Sequence, residues 1–366
     1  MGLTAGIVGL PNVGKSTLFN AITNSKVEAS NYPFATIKAN SGIVNVADYR
    51  LDELTNFYKP LKKVNATIEF IDIAGLIKGA SQGEGLGNQF LANIRETDAI
   101  IEVVRCFDNS EIVHVEGSVD ALRDVDTITS ELIFADIETV EKRIQKVEKK
   151  AQVNKDKDAL LEYNLLKPLL EHLNQVKTIR TFPCSVEQKA LIKSFSLLTA
   201  KPVIYVGNIS EKDLKDPLSN PEYAKLVELG KNENCLVVPI NAQIEAELAE
   251  LDEDKQLFLN DYGLLESGLD VLIKETYKLL DLQTFFTSGK DECRAWTFKK
   301  GMTAPECAGI IHTDFQRGFI KAEVYKYEDF VVYQSEASIK LAGKYRQEGK
   351  TYIMQDGDIV FFKFNV

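Results

Sequence analysis

Residues 9 to 17 read Gly-Leu-Pro-Asn-Val-Gly-Lys-Ser-Thr, the spacing of a phosphate-binding P-loop. Glycine at positions 9 and 14 lets the backbone curl until successive N–H groups point at phosphate oxygens. Lys15 brings a positive charge to the β- and γ-phosphates, and the Ser16 hydroxyl would ligate the Mg²⁺ that bridges them. A helix starting at this point adds the positive end of its dipole. The flanks fit: Leu3 to Val8 is a short apolar run suited to a buried strand, and Lys15 to Ile22 carries apolar residues at helical spacing. A nucleoside triphosphate is the expected ligand.

Three further segments bear on which nucleotide binds and what happens to it. Asp72-Ile73-Ala74-Gly75 follows an apolar run. In such a DxxG pattern Asp72 would hold Mg²⁺ through water, and the Gly75 N–H would sense the γ-phosphate. Within Tyr32-Pro33-Phe34-Ala35-Thr36, Thr36 would supply a second hydroxyl to the metal. In this order the motifs describe a switch-type NTPase of Ras-like architecture, with residues 24–38 and 75–95 as the moving segments. The second of these carries Gly79, Gly83, Gly85 and Gly87. The base-reading position departs from a guanine site: where NKxD is needed, the chain has Asn208-Ile209-Ser210-Glu211. Adenine offers an acceptor at N1 and a donor at N6, so losing the guanine clamp points to ATP.

The chemistry is expected to be slow. Leu76 stands where many Ras-like enzymes place a glutamine that orients water. Asn12, inside the P-loop, would help hold K⁺ near the β- and γ-phosphates, where a cation stabilises developing charge. His114, one of three histidines, follows the 99–105 run on the side facing nucleotide. As a neutral imidazole it would orient water; as a loop residue it would make only a local hydrogen bond. His172 and His312 read as structural or interfacial.

The elements that must position these groups recur along the chain. Apolar runs at 3–8, 67–73, 99–105, 202–207 and 235–240, with helical patterns between several of them, predict a parallel sheet wrapped by helices, its ligand beyond the carboxyl ends of the strands. Residues 128–199 show no strand pattern. Ile133, Ile137, Val140, Ile144 and Val147 step by four and three, a coiled-coil-like seam. Leu161, Leu165, Leu166, Leu169, Leu170 and Leu173 form a second apolar series. This predicts a helical hairpin inserted in the α/β domain, with Pro168 kinking or interrupting its second helix. Near its tip, Lys142 to Lys157 holds seven basic residues against two acidic ones, either a solvated face or a contact to a phosphate backbone or partner. From Asp281 onward, runs at Cys293–Phe298, Phe319–Val324, Phe330–Tyr333 and Ile359–Phe364 read as strands and Ala304–Ile311 as a helix, a small α+β domain.

Bulk properties set the bounds. The 366 residues, 45% hydrophobic and 27% charged, suit a soluble protein of two or three domains. No stretch approaches a membrane span, and the first strand leaves no room for a signal peptide, so a cytoplasmic protein is expected. The net charge of −11 argues against broad nonspecific binding of nucleic acid. Five scattered cysteines without CxxC pairs suggest reduced thiols.

Taken together, GLPNVGKST, NYPFATI, DIAGLIKGAS, GEGLGNQFL, the NxxE element and HTDFQRGFI resemble, in order, the YchF-type Obg-like ATPase family, within the translation-factor-related branch of P-loop GTPases. The resemblance covers essentially the whole chain. It implies a nucleotide domain over 1–127 and 200–280, an inserted coiled-coil arm over 128–199, and a TGS domain of ubiquitin-like fold over 281–366. It also implies Mg²⁺-dependent hydrolysis of ATP in preference to GTP and association with the ribosome. A slow ATPase switch on the ribosome or its large subunit, regulating translation or a stress response as a monomer, is the expected function. Onto this chain the resemblance carries Asn12, Val13, Gly14, Lys15, Ser16 and Thr17 as phosphate-binding residues, Ser16 and Thr36 as Mg²⁺ ligands, and Ile209, beside Asn208 and Glu211, as a residue lying against adenine. Two other readings stay open: a binding module locked by nucleotide with incidental hydrolysis, and a GTPase that keeps guanine despite the altered clamp.

Overall fold

The structure is a computed structural model that describes residues 3–24, 40–74, 86–153, 156–251 and 255–365. In chain order the elements are β1 (Thr4–Val8), α1 (Lys15–Asn24), β2 (Ser41–Val46), α2 (Tyr49–Tyr58), β3 (Lys62–Val64), β4 (Ala66–Asp72), α3 (Leu86–Glu96) and β5 (Ala99–Arg105). Then come α4 (Ala121–Gln152), α5 (Lys157–Asn174), α6 (Val186–Ser194), β6 (Val203–Asn208), α7 (Pro221–Glu233), β7 (Leu236–Ile240), α8 (Ala242–Leu248), α9 (Lys255–Asp261) and α10 (Gly268–Leu279). The chain ends with β8 (Leu282–Ser288), β9 (Glu292–Lys299), α11 (Ala304–Ile311), α12 (Thr313–Arg317), β10 (Phe319–Lys326), α13 (Tyr327–Tyr333), α14 (Glu336–Leu341), β11 (Arg346–Glu348) and β12 (Asp358–Phe364).

Two compact units divide the chain. The first holds residues 1–25, 37–42 and 69–271, the second 26–36, 43–68 and 272–366. In the first, β1 is flanked by β4 and β5, and β6 and β7 continue the sheet, in the order β4-β1-β5-β6-β7. The pairs β1–β4, β1–β5, β5–β6 and β6–β7 are all parallel. The inner strands are buried along their length, as parallel strands covered on both faces are: every residue of β5 is buried. Register brings the carboxyl ends level. Ile7 pairs with Asp72, Arg105 with Asn208 and Asn208 with Ile240. The loops after β1, β4, β5 and β6 therefore emerge along one edge, where open α/β sheets bind ligands.

The region read as an inserted hairpin consists of α4 and α5. Asp120 caps α4 by accepting from the Arg123 N–H, and its 32 residues reach about 48 Å. Asp156 caps α5 at the Ala159 N–H. Ile133 and Val140 are buried against Leu165, Leu166, Leu169 and Leu173, with Ile137, Ile144 and Val147 half-buried on the same seam. Leu161, expected in the second series, is 66% exposed instead. Pro168 does not interrupt α5, which runs unbroken from Lys157 to Asn174. A helix-interior proline costs about 3 kcal/mol, and burying four leucines at roughly 1.5–3 kcal/mol each outweighs it. At the root of the hairpin, the buried Asp136 carboxylate accepts from Leu198 N (2.7 Å), Thr199 N (2.8 Å) and Thr199 Oγ1 (2.7 Å).

The second unit is built on a mixed sheet in the order β11-β10-β12-β8-β9-β3. Its core gathers Phe285, Phe298, Val324, Val360 and Phe362 around Ala304, Cys307 and Ala308 of α11. A reciprocal capping box between Thr303 and Glu306 starts α11. Phe330–Tyr333, expected as a strand, is the last half of α13: Tyr327 and Phe330, three residues apart, are buried, while Val332 is 72% exposed. No helix among the described residues is long and apolar enough to cross a membrane. All five cysteines are free thiols.

Candidate functional site

The P-loop turns from β1 into α1, and its two glycines are required for different reasons. Gly14 sits at φ +95°, and a Cβ there would come 2.3 Å from Asn208 Nδ2. Gly9 lies so close to β5 that a Cβ would meet the Val103 carbonyl oxygen at 2.8 Å. Asn12 adopts φ 63°, a left-handed conformation that asparagine tolerates better than most residues. The first intrahelical bond of α1, Leu18 N to Gly14 O at 2.9 Å, leaves the N–H groups of the preceding turn directed outward. The first turn of α1 carries no acidic residue, so nothing offsets the positive end of the helix.

Around this loop the predicted residues fall as follows. Lys15 pairs with Asp72 at the end of β4, which brings that carboxylate to the start of α1, where Ser16 is exposed and Thr17 half-buried. A hydroxyl and a carboxylate fit Mg²⁺, which prefers oxygen donors and keeps several waters. The described residues contain no group of three or more His, Cys, Asp or Glu able to hold a metal without such help. Thr36 and Gly75, with the rest of 25–39 and 75–85, lie outside the described residues. Residues 86–96, part of the second expected switch, form α3.

Asn208 reaches the P-loop. Its Nδ2 donates to the Val13 carbonyl at 2.8 Å and its Oδ1 accepts from the Ala242 N–H at 3.1 Å. Both ends of the buried amide are engaged within the protein. Ile209 is buried, and its N–H donates to Ile240 O at 2.8 Å. Asn241 Nδ2 holds the Ile209 carbonyl at 2.8 Å, and Asp213 accepts from Ser210 Oγ (2.7 Å) and Asn220 Nδ2 (2.9 Å). Of the NxxE residues, Glu211 alone is exposed on this locked segment, with the Tyr262 hydroxyl hydrogen-bonded to it.

The loop after β5 meets the P-loop from the other side. Asn12 Nδ2 donates to Val113 O at 3.1 Å, leaving its Oδ1 as the atom suited to a cation. Next to it, His114 is 8% exposed. Its Nδ1 accepts from the Glu116 N–H at 3.2 Å, so Nε2 carries the proton and donates to Asp124 Oδ2 at 2.9 Å. Arg123 also reaches Asp124, at 3.0 Å. Both ring nitrogens of His114 are thus engaged locally.

Arg105, which the motifs did not single out, organises this loop. It is 1% exposed, and its guanidinium donates to the carbonyls of Phe107 (3.0 Å), Ile112 (3.1 Å) and Asn109 (3.2 Å) while lying 4.8 Å over the Phe107 ring. A charge closing a strand of mostly apolar residues was the signal that could have found it. Glu102, in the same strand, is the other. Burial pushes its carboxyl up to about 8, against the opposing charge of Arg180 and helped by Glu233, Asp126 and Asp124.

The family model MMR_HSR1, described as a 50S ribosome-binding GTPase, matches residues 4–153. A second, YchF-GTPase_C, described as a protein of unknown function (DUF933), matches residues 282–365. Among similar proteins, the Ribosome-binding ATPase YchF of Bacillus subtilis (strain 168) is 56% identical over 367 residues, with 100% of each chain covered. Its namesake in Escherichia coli O157:H7 is 50% identical over the same span and coverage. Among solved structures, the Schizosaccharomyces pombe YchF GTPase aligns with a TM-score of 0.89 at 40% identity, covering 99% of this chain and 98% of that one. Similar to these proteins from end to end, the chain belongs to the YchF family, the Obg-like ATPases that its motifs resemble.

Proposed function

We propose that this protein is a Mg²⁺-dependent ATPase switch that binds the ribosome, through its large subunit, and turns over slowly to regulate translation or a stress response. The observation that carries the nucleotide assignment is the Asn208 lock, which fixes the NISE segment to the P-loop and leaves the Glu211 carboxylate as its exposed acceptor. A carboxylate there accepts from the adenine N6 amine, whereas guanine presents a carbonyl oxygen at that edge. Ser16, Thr36 and Asp72 would hold Mg²⁺, which neutralises phosphate charge when bound. Lys15 and the P-loop N–H groups bind and orient the triphosphate, and the Gly75 N–H is assigned to its γ-phosphate.

For hydrolysis, Asn12 Oδ1 is assigned to a K⁺ ion beside the β- and γ-phosphates. His114 is assigned to the attacking water, which requires the loop to give up the Glu116 N–H or the Asp124 bond. Residues 1–127 with 200–280 would form the nucleotide domain, 128–199 a coiled-coil arm and 281–366 a TGS domain, in a cytoplasmic monomer whose basic arm touches RNA. Calorimetric titration with ATP and GTP tests the nucleotide: tighter GTP binding overturns the assignment. Turnover in K⁺ against Na⁺ buffer tests Asn12, and equal rates remove the cation. Leu76 in place of a water-orienting glutamine favours a second reading, a nucleotide-locked binding module. Unchanged slow turnover on adding ribosomes selects it.

A further inference from the structure

The loop between β5 and α4 meets the P-loop with three apolar side chains held outward. Ile112, Val113 and Val115 are 39%, 75% and 55% exposed, so burial of these side chains contributes little to fixing it. Polar anchors fix it instead, and they stand on either side of Val113. Before it, the Arg105 guanidinium donates from Nε to Phe107 O at 3.0 Å, from Nη1 to Ile112 O at 3.1 Å and from Nη2 to Asn109 O at 3.2 Å. After it, His114 Nε2 donates to Asp124 Oδ2 at 2.9 Å, and its Nδ1 accepts from the Glu116 N–H at 3.2 Å. The His114 carbonyl also accepts from the Gly117 N–H at 3.0 Å. Val113, held between these anchors, offers its own carbonyl to Asn12 Nδ2 at 3.1 Å.

This contact decides which way the Asn12 amide faces. A carbonyl oxygen only accepts, so the amide must turn its NH₂ to Val113 and its oxygen away from the loop. Without that partner the exposed amide would rotate between its two orientations. Register carries the effect from one strand to the next: Val8 pairs with Glu102, so the loops after β1 and β5 emerge side by side. The three carbonyls that Arg105 serves lie on residues 107, 109 and 112. A planar fork of N–H donors reaches all three at once, whereas an ammonium is a point charge.

We infer that Arg105 is a positioning residue for Asn12: it pins the loop after β5 so that Val113 holds the Asn12 amide with its oxygen free for a monovalent cation. The cation rests on the assignment of Asn12 Oδ1 to K⁺ given above; the pinning rests on the hydrogen bonds alone. A donor that is already oriented needs no ordering when the ion binds, so its orientation enters directly as affinity. Arg105 is 1% exposed and directs its guanidinium at the loop, so it acts only through Asn12.

The test uses the full-length protein with Arg105→Lys and Arg105→Gln, which keep a donor where alanine would leave all three buried carbonyls bare. A non-hydrolysable ATP analogue with Mg²⁺ is titrated by calorimetry over a series of K⁺ concentrations, with Na⁺ holding the ionic strength constant. Wild type should bind the analogue more tightly in K⁺, and both variants should need about tenfold more K⁺ for the same gain, the equivalent of one net hydrogen bond. Affinity in Na⁺ alone should change less than about twofold, because Lys15 shares no partner with Arg105. ATP turnover should show the same shift in K⁺ requirement, with kcat restored at saturating K⁺, which a mere loss of stability would not give. Variants with the wild-type K⁺ requirement overturn the positioning role, as does an equal fall in analogue affinity in both salts. Asn12→Ala separates this role from the cation reading. If wild-type binding and turnover are equal in K⁺ and Na⁺, that reading fails, and the double variant decides Arg105. Asn12→Ala with Arg105→Lys should then turn over no more slowly than Asn12→Ala alone; losses that multiply overturn the inference.

Discussion

Replacing Asn208 with alanine separates two roles that one residue type can play in a nucleotide site. In this structure its amide bridges the P-loop and the start of α8, with bonds of 2.8 Å to Val13 O and 3.1 Å to Ala242 N. Asn208→Ala removes both and strands a carbonyl and an N–H in a buried setting. Each orphaned group costs about 1–3 kcal/mol, so a loss near 3 kcal/mol is expected in urea denaturation followed by circular dichroism. Part of it reappears in binding, because the free loop must be reordered around phosphate: ATP and GTP should both weaken by about ten- to hundredfold. Their ratio should hold, since the amide faces protein on both sides. Glu211→Ala should do the opposite, changing the ATP-to-GTP ratio with a stability change below about 0.5 kcal/mol, as expected for an exposed position. An Asn208→Ala protein of unchanged stability and a shifted ATP-to-GTP ratio would refute the lock.

Three further outcomes follow from buried geometry. Burial raises the Glu102 carboxyl from 4.5 to about 8, so the folded chain keeps a proton that the unfolded chain releases. Stability from this group is full below about 4.5 and is lost as pH rises through about 8, by at most about 5 kcal/mol. Glu102→Gln should therefore raise the melting temperature at pH 8.5 and barely change it at pH 4.5, and parallel pH profiles for the two proteins would remove the argument. Gly14→Ala forces a Cβ to 2.3 Å from Asn208 Nδ2 at φ +95°; ATP binding by calorimetry should fall by more than about a hundredfold, and a normal titration would show that the loop has room to move. Asp136→Ala deletes three short hydrogen bonds at the root of the hairpin and should destabilise by about 3 kcal/mol, read as faster proteolysis between α5 and β6.

What could be read from the sequence was chemistry that is local in the chain. The P-loop is nine consecutive residues whose glycines answer to a single turn, and Gly14 at φ +95° is what the spacing demanded. The hairpin seam was legible because Ile133, Ile137, Val140, Ile144 and Val147 repeat on one helix face. Phe330–Tyr333 misled for a related reason: β-branched and aromatic residues favour strands only as far as burial alternates. Here burial falls at Tyr327 and Phe330, a spacing of three. The work done by Asn208 could not be read locally at all. Its acceptor, Val13, lies 195 positions away, and the two meet only because β6 pairs with β5, and β5 with β1, in the observed register.

The two charges in β5 lie between these cases. A seven-residue strand buried along its whole length has no solvated place for Glu102 or Arg105, and an isolated ion in such surroundings costs far more than a strand can supply. Each charge must therefore have a partner or lose its charge, and that much follows from the sequence once the strand is recognised. Which solution applies depends on where the side chain emerges. Arg105 is at the carboxyl end, where a loop can fold back and offer three carbonyls. Glu102 is in the middle of the strand. Its Oε1 has no hydrogen-bond partner among the described residues, and keeping its proton is the cheaper state. One strand thus contains both answers to a buried charge, and the loop fixed by the first is the loop that receives Asn12 of the P-loop.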